Sequence, residues 1–163
     1  MIFSRVVNAS PLIFLTKVGL LEVLREPSVP VLVPDVVLAE VGGLDPNDPA
    51  VRAVEQSQWM RVVSTPTIPD NVLVWDLDAG ESAVLAVALA EPGAMVILDD
   101  MPARRCTRVL NISSQGRLGL VLVAKKQGPI PAVRPVLEQL RAAGMWMSDR
   151  LENQVLVAAG ESS

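Results

Sequence analysis

The sequence predicts an α/β fold: one mainly parallel sheet of about five strands, flanked by helices, in a single domain over residues 1–163. Half of the residues are hydrophobic, chiefly Val, Leu and Ala, and aromatic residues are few. That composition suits a sheet covered by helices rather than a disordered chain. Short apolar runs alternate with longer segments of helical spacing, the pattern of a parallel sheet with helical crossovers. Polar or acidic residues follow several of those runs, at the strand ends where α/β folds place their chemistry.

Each element has a local reason. IFSRVV (2–7) reads as a buried strand. Ser10 is a suitable N-cap and Pro11 a suitable first helical residue. Leu12, Ile13, Leu15, Leu20, Leu21 and Leu24 give the following helix its apolar face. VPVLV (29–33) is the second strand, and Pro34-Asp35 opens a helix carrying Val37, Leu38, Glu40 and Val41. GGLDPNDP (42–49) reads as a loop, AVRAVEQSQ (50–58) as a helix and MRVVS (60–64) as a strand. A loop punctuated by prolines leads to Asp76. Asp78-Ala79-Gly80-Glu81 then opens a helix rich in Ala and Val that runs to about Glu91. AMVIL (94–98) is a strand ending on Asp99-Asp100, and Pro102 starts a basic helix. A short strand follows Asn111. A helix from about Leu118 is stopped by Gly128-Pro129, and two helices at about 133–143 and 149–159 complete the domain.

Composition narrows the chemistry. The chain has no histidine and one cysteine, Cys106. A Ser-His-Asp triad, a Cys-His pair, a histidine metal ligand, a disulfide and a thiolate zinc site within the chain are therefore excluded. Cys106, between Arg105 and Thr107 on a helix, reads as a packing residue. Carboxylates, hydroxyls, Lys and Arg remain. The net charge of −4 is not that of a protein that coats nucleic acid, so any such contact is local. With no Tyr, two Phe and three Trp, aromatic platforms for single strands are not the main device. The interrupted apolar start is not that of a signal peptide, and no uninterrupted run reaches the roughly 18 residues of a membrane span. The cytoplasm is the expected location.

Asn8, Glu40, Glu81 and the pair Asp99-Asp100 each lie at a strand end or in a helix beginning just after one. In a parallel sheet the carboxyl ends of the strands share one edge, so these residues can converge there. Carboxylates so gathered repel one another unless a cation neutralises them, and all-oxygen donors suit Mg²⁺ or Mn²⁺. Such an ion can activate water and polarise a phosphoryl oxygen. Each residue also has a simpler role: Asp78 and Glu81 form a capping-box pattern, Asp100 can cap the helix begun by Pro102, Glu40 can be a solvated helix residue, and Asn8 a turn former.

Five stretches in order, VVNASPLIFLTKVGLLEVL, VPDVVLAEV, LDAGESAVLAVALA, VILDDMPARR and LEQLRAAGMWMSDRLENQVLVAAGE, resemble the PIN domains of the VapC-like toxin branch. The likeness covers nearly the whole chain. It implies a Mg²⁺ or Mn²⁺ site built from Asn8, Glu40, Glu81 and Asp99 or Asp100, with Ser10 near the first position. It further implies an endoribonuclease acting on RNA, the toxin of a toxin–antitoxin pair, silenced by a small antitoxin protein and paired as a homodimer. Asn8 stands where Asp is more usual and supplies an oxygen without a charge, so metal affinity should be reduced. In NISSQGRLG (111–119) the Gly-containing strand-to-helix step is loose, leaving Ser113 and Ser114 as candidates for a further ligand. Arg104 and Arg105, with Arg108, follow the acidic pair and can hold RNA phosphates; Arg5, Lys125 and Lys126 can add to them. The resemblance favours Arg104. Solvated faces and ion pairs with the surplus acids are the simpler reading of these bases. The alternative to an enzyme is a PIN domain weakened by Asn8 that binds RNA or a partner. A receiver-like signalling domain would need a different order of acids and a later Lys.

Overall fold

In the computed structural model, which describes residues 1–161, the apolar runs form one five-stranded sheet. Its strands are β1 (Ser4–Val7), β2 (Val31–Pro34), β3 (Met60–Val63), β4 (Ala94–Ile97) and β5 (Ser113–Gln115). Their order is β3-β2-β1-β4-β5, and every neighbouring pair is parallel. Val6, Val7, Val31, Leu32, Val33, Val96 and Ile97 are all buried. Continuous burial of this kind belongs to a parallel sheet covered on both faces, which is why these runs do not alternate with polar residues.

Nine α-helices are present among the described residues: α1 (Ala9–Lys17), α2 (Asp35–Leu44), α3 (Pro49–Gln56), α4 (Asp70–Leu73), α5 (Ala79–Ala90), α6 (Met101–Val109), α7 (Arg117–Gln127), α8 (Arg134–Ala142) and α9 (Asp149–Ala158). Every residue of α5 from Gly80 to Ala88 is buried. It packs against α2, α4, β1, β2 and β4. A helix that is apolar on every side must lie inside the protein, as this one does. None of the described helices is long and apolar enough to cross a membrane.

The chain differs from the sequence reading in places that have local causes. Helix α1 begins at Ala9, so Asn8 and not Ser10 is its N-cap, and Ser10 and Pro11 lie within the first turn. Gly19, at φ +71°, ends the turn that follows α1; Leu21–Leu24 forms a separate 3₁₀ turn. Helix α2 runs through Gly42 and Gly43 to Leu44, because the stretch lacks a stop before Asp45 and Pro46. The proline-rich loop contains α4. Gly128, in the left-handed region at φ +100°, stops α7 as its position suggests. Cys106 is fully buried, and burial raises its thiol pKa.

Two apolar clusters result. The larger holds the sheet with α1, α2, α3 and α5. The smaller joins Val121, Val133, Leu137, Leu140, Met147 and Leu156 from the C-terminal helices and their connections. Leu20 and Val23 pack against both. Glu161 locks the second cluster: it accepts bonds from Lys125 Nζ (2.8 Å), Val133 N (2.6 Å) and Arg134 N (3.2 Å). Those bonds hold its carboxyl down at about 2, well below the usual value. A carboxylate depressed in this way stabilises the fold above its ordinary pKa of about 4.3 and loses that contribution as pH falls toward 2. Glu161→Gln is therefore expected to lower the melting temperature at neutral pH, and the deficit should vanish in acid on a pH series of thermal melts.

Candidate active site

Strand order reverses direction at β1, whose neighbours are β2 and β4. In open α/β sheets the crevice beyond the strand ends at such a switch point is the usual ligand site. Asn8 leaves β1 at this crevice, and Asp99-Asp100 follow β4. Asn8 N donates to Ile97 O at 3.0 Å, which ties the two strand ends together.

A cavity of about 350 Å³ opens there, lined by Asn8, Ala9, Ser10, Glu40, Asp78, Glu81, Asp99 and Asp100. No basic residue lines it. Glu40 arrives on α2, and Glu81 sits in the first turn of α5. Gly80 makes this approach possible: a Cβ there would collide with Glu40 Oε2 and stand 3.3 Å from Asn8 Oδ1. Asn8 is 8% and Glu81 9% exposed, so both polar groups are held away from water. The Asn8 side chain makes no capping bond to α1, although it occupies the N-cap position.

Several carboxylates are engaged in local structure. Asp78 and Glu81 complete the capping box: Glu81 N donates to Asp78 Oδ1 at 2.7 Å, and Asp78 N to Glu81 Oε2 at 3.3 Å. Asp100 Oδ2 accepts from Ala103 N at 3.1 Å and caps α6. The simpler roles assigned from sequence to Glu81 and Asp100 are thus real, and the same side chains also line the cavity.

Crowding appears in the electrostatics. Burial, then the charges of Asp78 and Asp100, push the Glu81 carboxyl up to about 7. Burial, then Asp78, raises that of Glu40. Among the described residues, no three carboxylates come close enough to form a metal cage by themselves. The donor set nonetheless fits a hard divalent cation: it is all oxygen, two of its acids are held back from ionising, and the missing side chain at Gly80 lets the Glu40 carboxylate approach Asn8.

Beside the cup lies a second cavity of about 610 Å³ that shares Asp99 and includes Arg104, Gln115, Gly116, Arg117 and Met145. A Cβ on Gly116 would sit 2.9 Å from Asp99 Oδ1 and 3.2 Å from Arg104 Nη1, so both side chains lie against this glycine. Arg105 is exposed on α6. Ser113 is exposed; Ser114 Oγ accepts from Thr107 Oγ1 at 3.3 Å and lines the second cavity rather than the cup. Two bases expected near RNA have other partners. Arg5 is buried, donating to Leu24 O (2.6 Å) and Glu26 Oε2 (3.1 Å), because its position on β1 points it into the protein. Lys125 donates to Ala159 O and Glu161 on the C-terminal cluster.

Two residues of the site escaped the sequence reading. Asp78 was legible only as a cap. Arg117 carries no local signal: its partners are Asp99 and Ser10, the latter 107 residues away.

A search among curated proteins finds no match. A family model described as "DUF3368: PIN domain" matches residues 4–161. That match, on a parallel α/β fold with acidic residues at its switch point, establishes that the chain belongs to the PIN domain family, whose members are generally nucleases.

Proposed function

We propose that this chain is a Mg²⁺- or Mn²⁺-dependent endoribonuclease and the toxin of a toxin–antitoxin pair. The observation that carries the reading is the cup of Glu40, Asp78, Glu81, Asp99 and Asp100, with Asn8 and without a basic residue, at the switch point of the sheet. Asn8, Glu40, Glu81 and Asp99 or Asp100 would hold the cation. When bound, it supplies electrostatic stabilisation of a phosphodiester and acidifies water. The chain's own groups do the rest. Asn8 offers an uncharged oxygen, and Gly80 leaves room for the Glu40 carboxylate beside it. Glu81, with a carboxyl at about 7, gives up its proton near neutral pH as positive charge enters. Arg104 and the exposed Arg105 follow the acidic step and are suited to hold flanking phosphates, with Ser10 at the cup's edge.

Support for the toxin context, a small antitoxin partner and a homodimer comes from the sequence motifs. A cytoplasmic location follows from the same reading. A catalytically weakened domain that binds RNA or a partner is the second reading, favoured by the neutral Asn8 and by the use of Glu81 and Asp100 as caps. A cleavage assay on RNA separates the two. The enzyme reading expects cleavage with Mn²⁺ or Mg²⁺, none with chelator, and faster cleavage by Asn8→Asp. Binding without turnover in both proteins favours the second, and cleavage indifferent to chelator contradicts the metal-dependent account.

A further inference from the structure

Arg117 is bound to the residues of the cup at three points. Its backbone N–H donates to Asp99 Oδ1 at 3.1 Å, its Nε lies 3.4 Å from Asp99 Oδ2, and its Nη1 donates to Ser10 Oγ at 3.1 Å. The guanidinium also stacks on Phe14, 4.3 Å from the ring centroid. Its side chain is only 12% exposed. The Nε–Oδ2 contact is an ion pair without an aligned hydrogen bond, and both atoms are buried with no other partner. A guanidinium fixed at this many points is part of the site's construction.

The two neighbouring acids are therefore unlike each other. Asp99 has one oxygen on the N-terminus of α7 and the other facing a buried cation. Asp100 commits one oxygen to its helix cap, and its charge is felt by Glu81. Because Ser10 follows β1 and Asp99 follows β4, the guanidinium also spans the crevice at the switch point.

We propose that Arg117 is a built-in counter-cation that neutralises Asp99 and keeps it out of the ligand set, leaving Asn8, Glu40, Glu81 and Asp100 to hold the divalent ion. This rests on the metal-dependent reading of the cup. Arg117 is on this view a positioning residue, and it lowers the cup's negative charge by one. Removing it frees a fifth carboxylate and should tighten metal binding, whereas a true ligand's loss should weaken it.

Titration of free Mn²⁺ by its electron paramagnetic resonance signal, with each protein's melting temperature as a check on folding, tests the assignment. Arg117→Gln is expected to bind Mn²⁺ about tenfold more tightly, the scale on which groups next to a ligand act. Arg117→Lys, which keeps the charge, should stay near wild type. Asp99→Asn combined with Arg117→Gln removes both charges of the pair and should change the affinity by no more than about twofold, while Asp100→Asn, which preserves the helix cap, should weaken it about tenfold. Should Arg117→Gln not fold alone, the comparison of the double variant with Asp100→Asn decides. Equal weakening by the double variant and Asp100→Asn, or no tightening in a folded Arg117→Gln, overturns the proposal while the metal reading stands. Absence of Mn²⁺ binding by the wild type overturns both.

Discussion

Glu81→Gln is expected to reduce RNA cleavage by about a hundredfold or more without harming the fold, the scale on which removal of one charge-stabilising group acts. The substitution is nearly isosteric, and glutamine can still accept the Asp78 N–H that closes the capping box. What disappears is a negative charge in a buried position beside Asp78 and Asp100. Stability should respond with a definite sign. The folded carboxyl is raised to about 7 from the usual value of about 4.3. Its contribution is thus fully present below that ordinary pKa and is lost as pH rises through about 7. Glutamine imitates the protonated form. In chelator, the variant should melt with the wild type at about pH 3.5 and above it at about pH 8. A lower melting temperature at the higher pH, or cleavage that survives, would contradict the role assigned to Glu81.

Gly80→Ala should separate stability from function in the opposite way to a core mutation. Gly80 is the second residue of α5, and alanine is favoured over glycine in a helix by about 1 kcal/mol. The added Cβ collides with a movable atom, Glu40 Oε2, so the backbone need not shift. The fold should therefore keep its melting temperature or gain slightly. The site should not be spared, because the methyl displaces the Glu40 carboxylate and crowds Asn8 Oδ1 at 3.3 Å. Mn²⁺ affinity and cleavage are expected to fall together by about tenfold. Unchanged affinity in a folded variant would show that Glu40 and Asn8 do not act on a common ion.

How much of this could be read from the sequence depended on the range of the interactions. The strands were legible because a sheet buried on both faces needs unbroken apolar runs, and Val31–Pro34 and Ala94–Ile97 are such runs. Helix α5 was legible from its Asp78-x-x-Glu81 start, a signal contained in four residues. The end of α1 was not, since the leucine spacing continues past Gly19 while the backbone does not. In the site, Asn8, Glu40, Glu81 and the acidic pair could be collected from their places at strand ends. The division between Asp99 and Asp100 could not. It depends on Arg117, whose contacts arise only when α7 docks against the β1 and β4 ends. Arg5 misled for the same reason: a basic residue on a strand gives no sign of whether it faces solvent or a buried carbonyl such as Leu24 O.

Soaking a crystal of the protein in Mn²⁺ and recording the anomalous signal would locate the ion directly. One strong peak between Asn8, Glu40, Glu81 and Asp100 is the result expected here. No peak in that cavity, with Mn²⁺ elsewhere on the protein or absent, would contradict the claim that these side chains form a cup for a divalent cation.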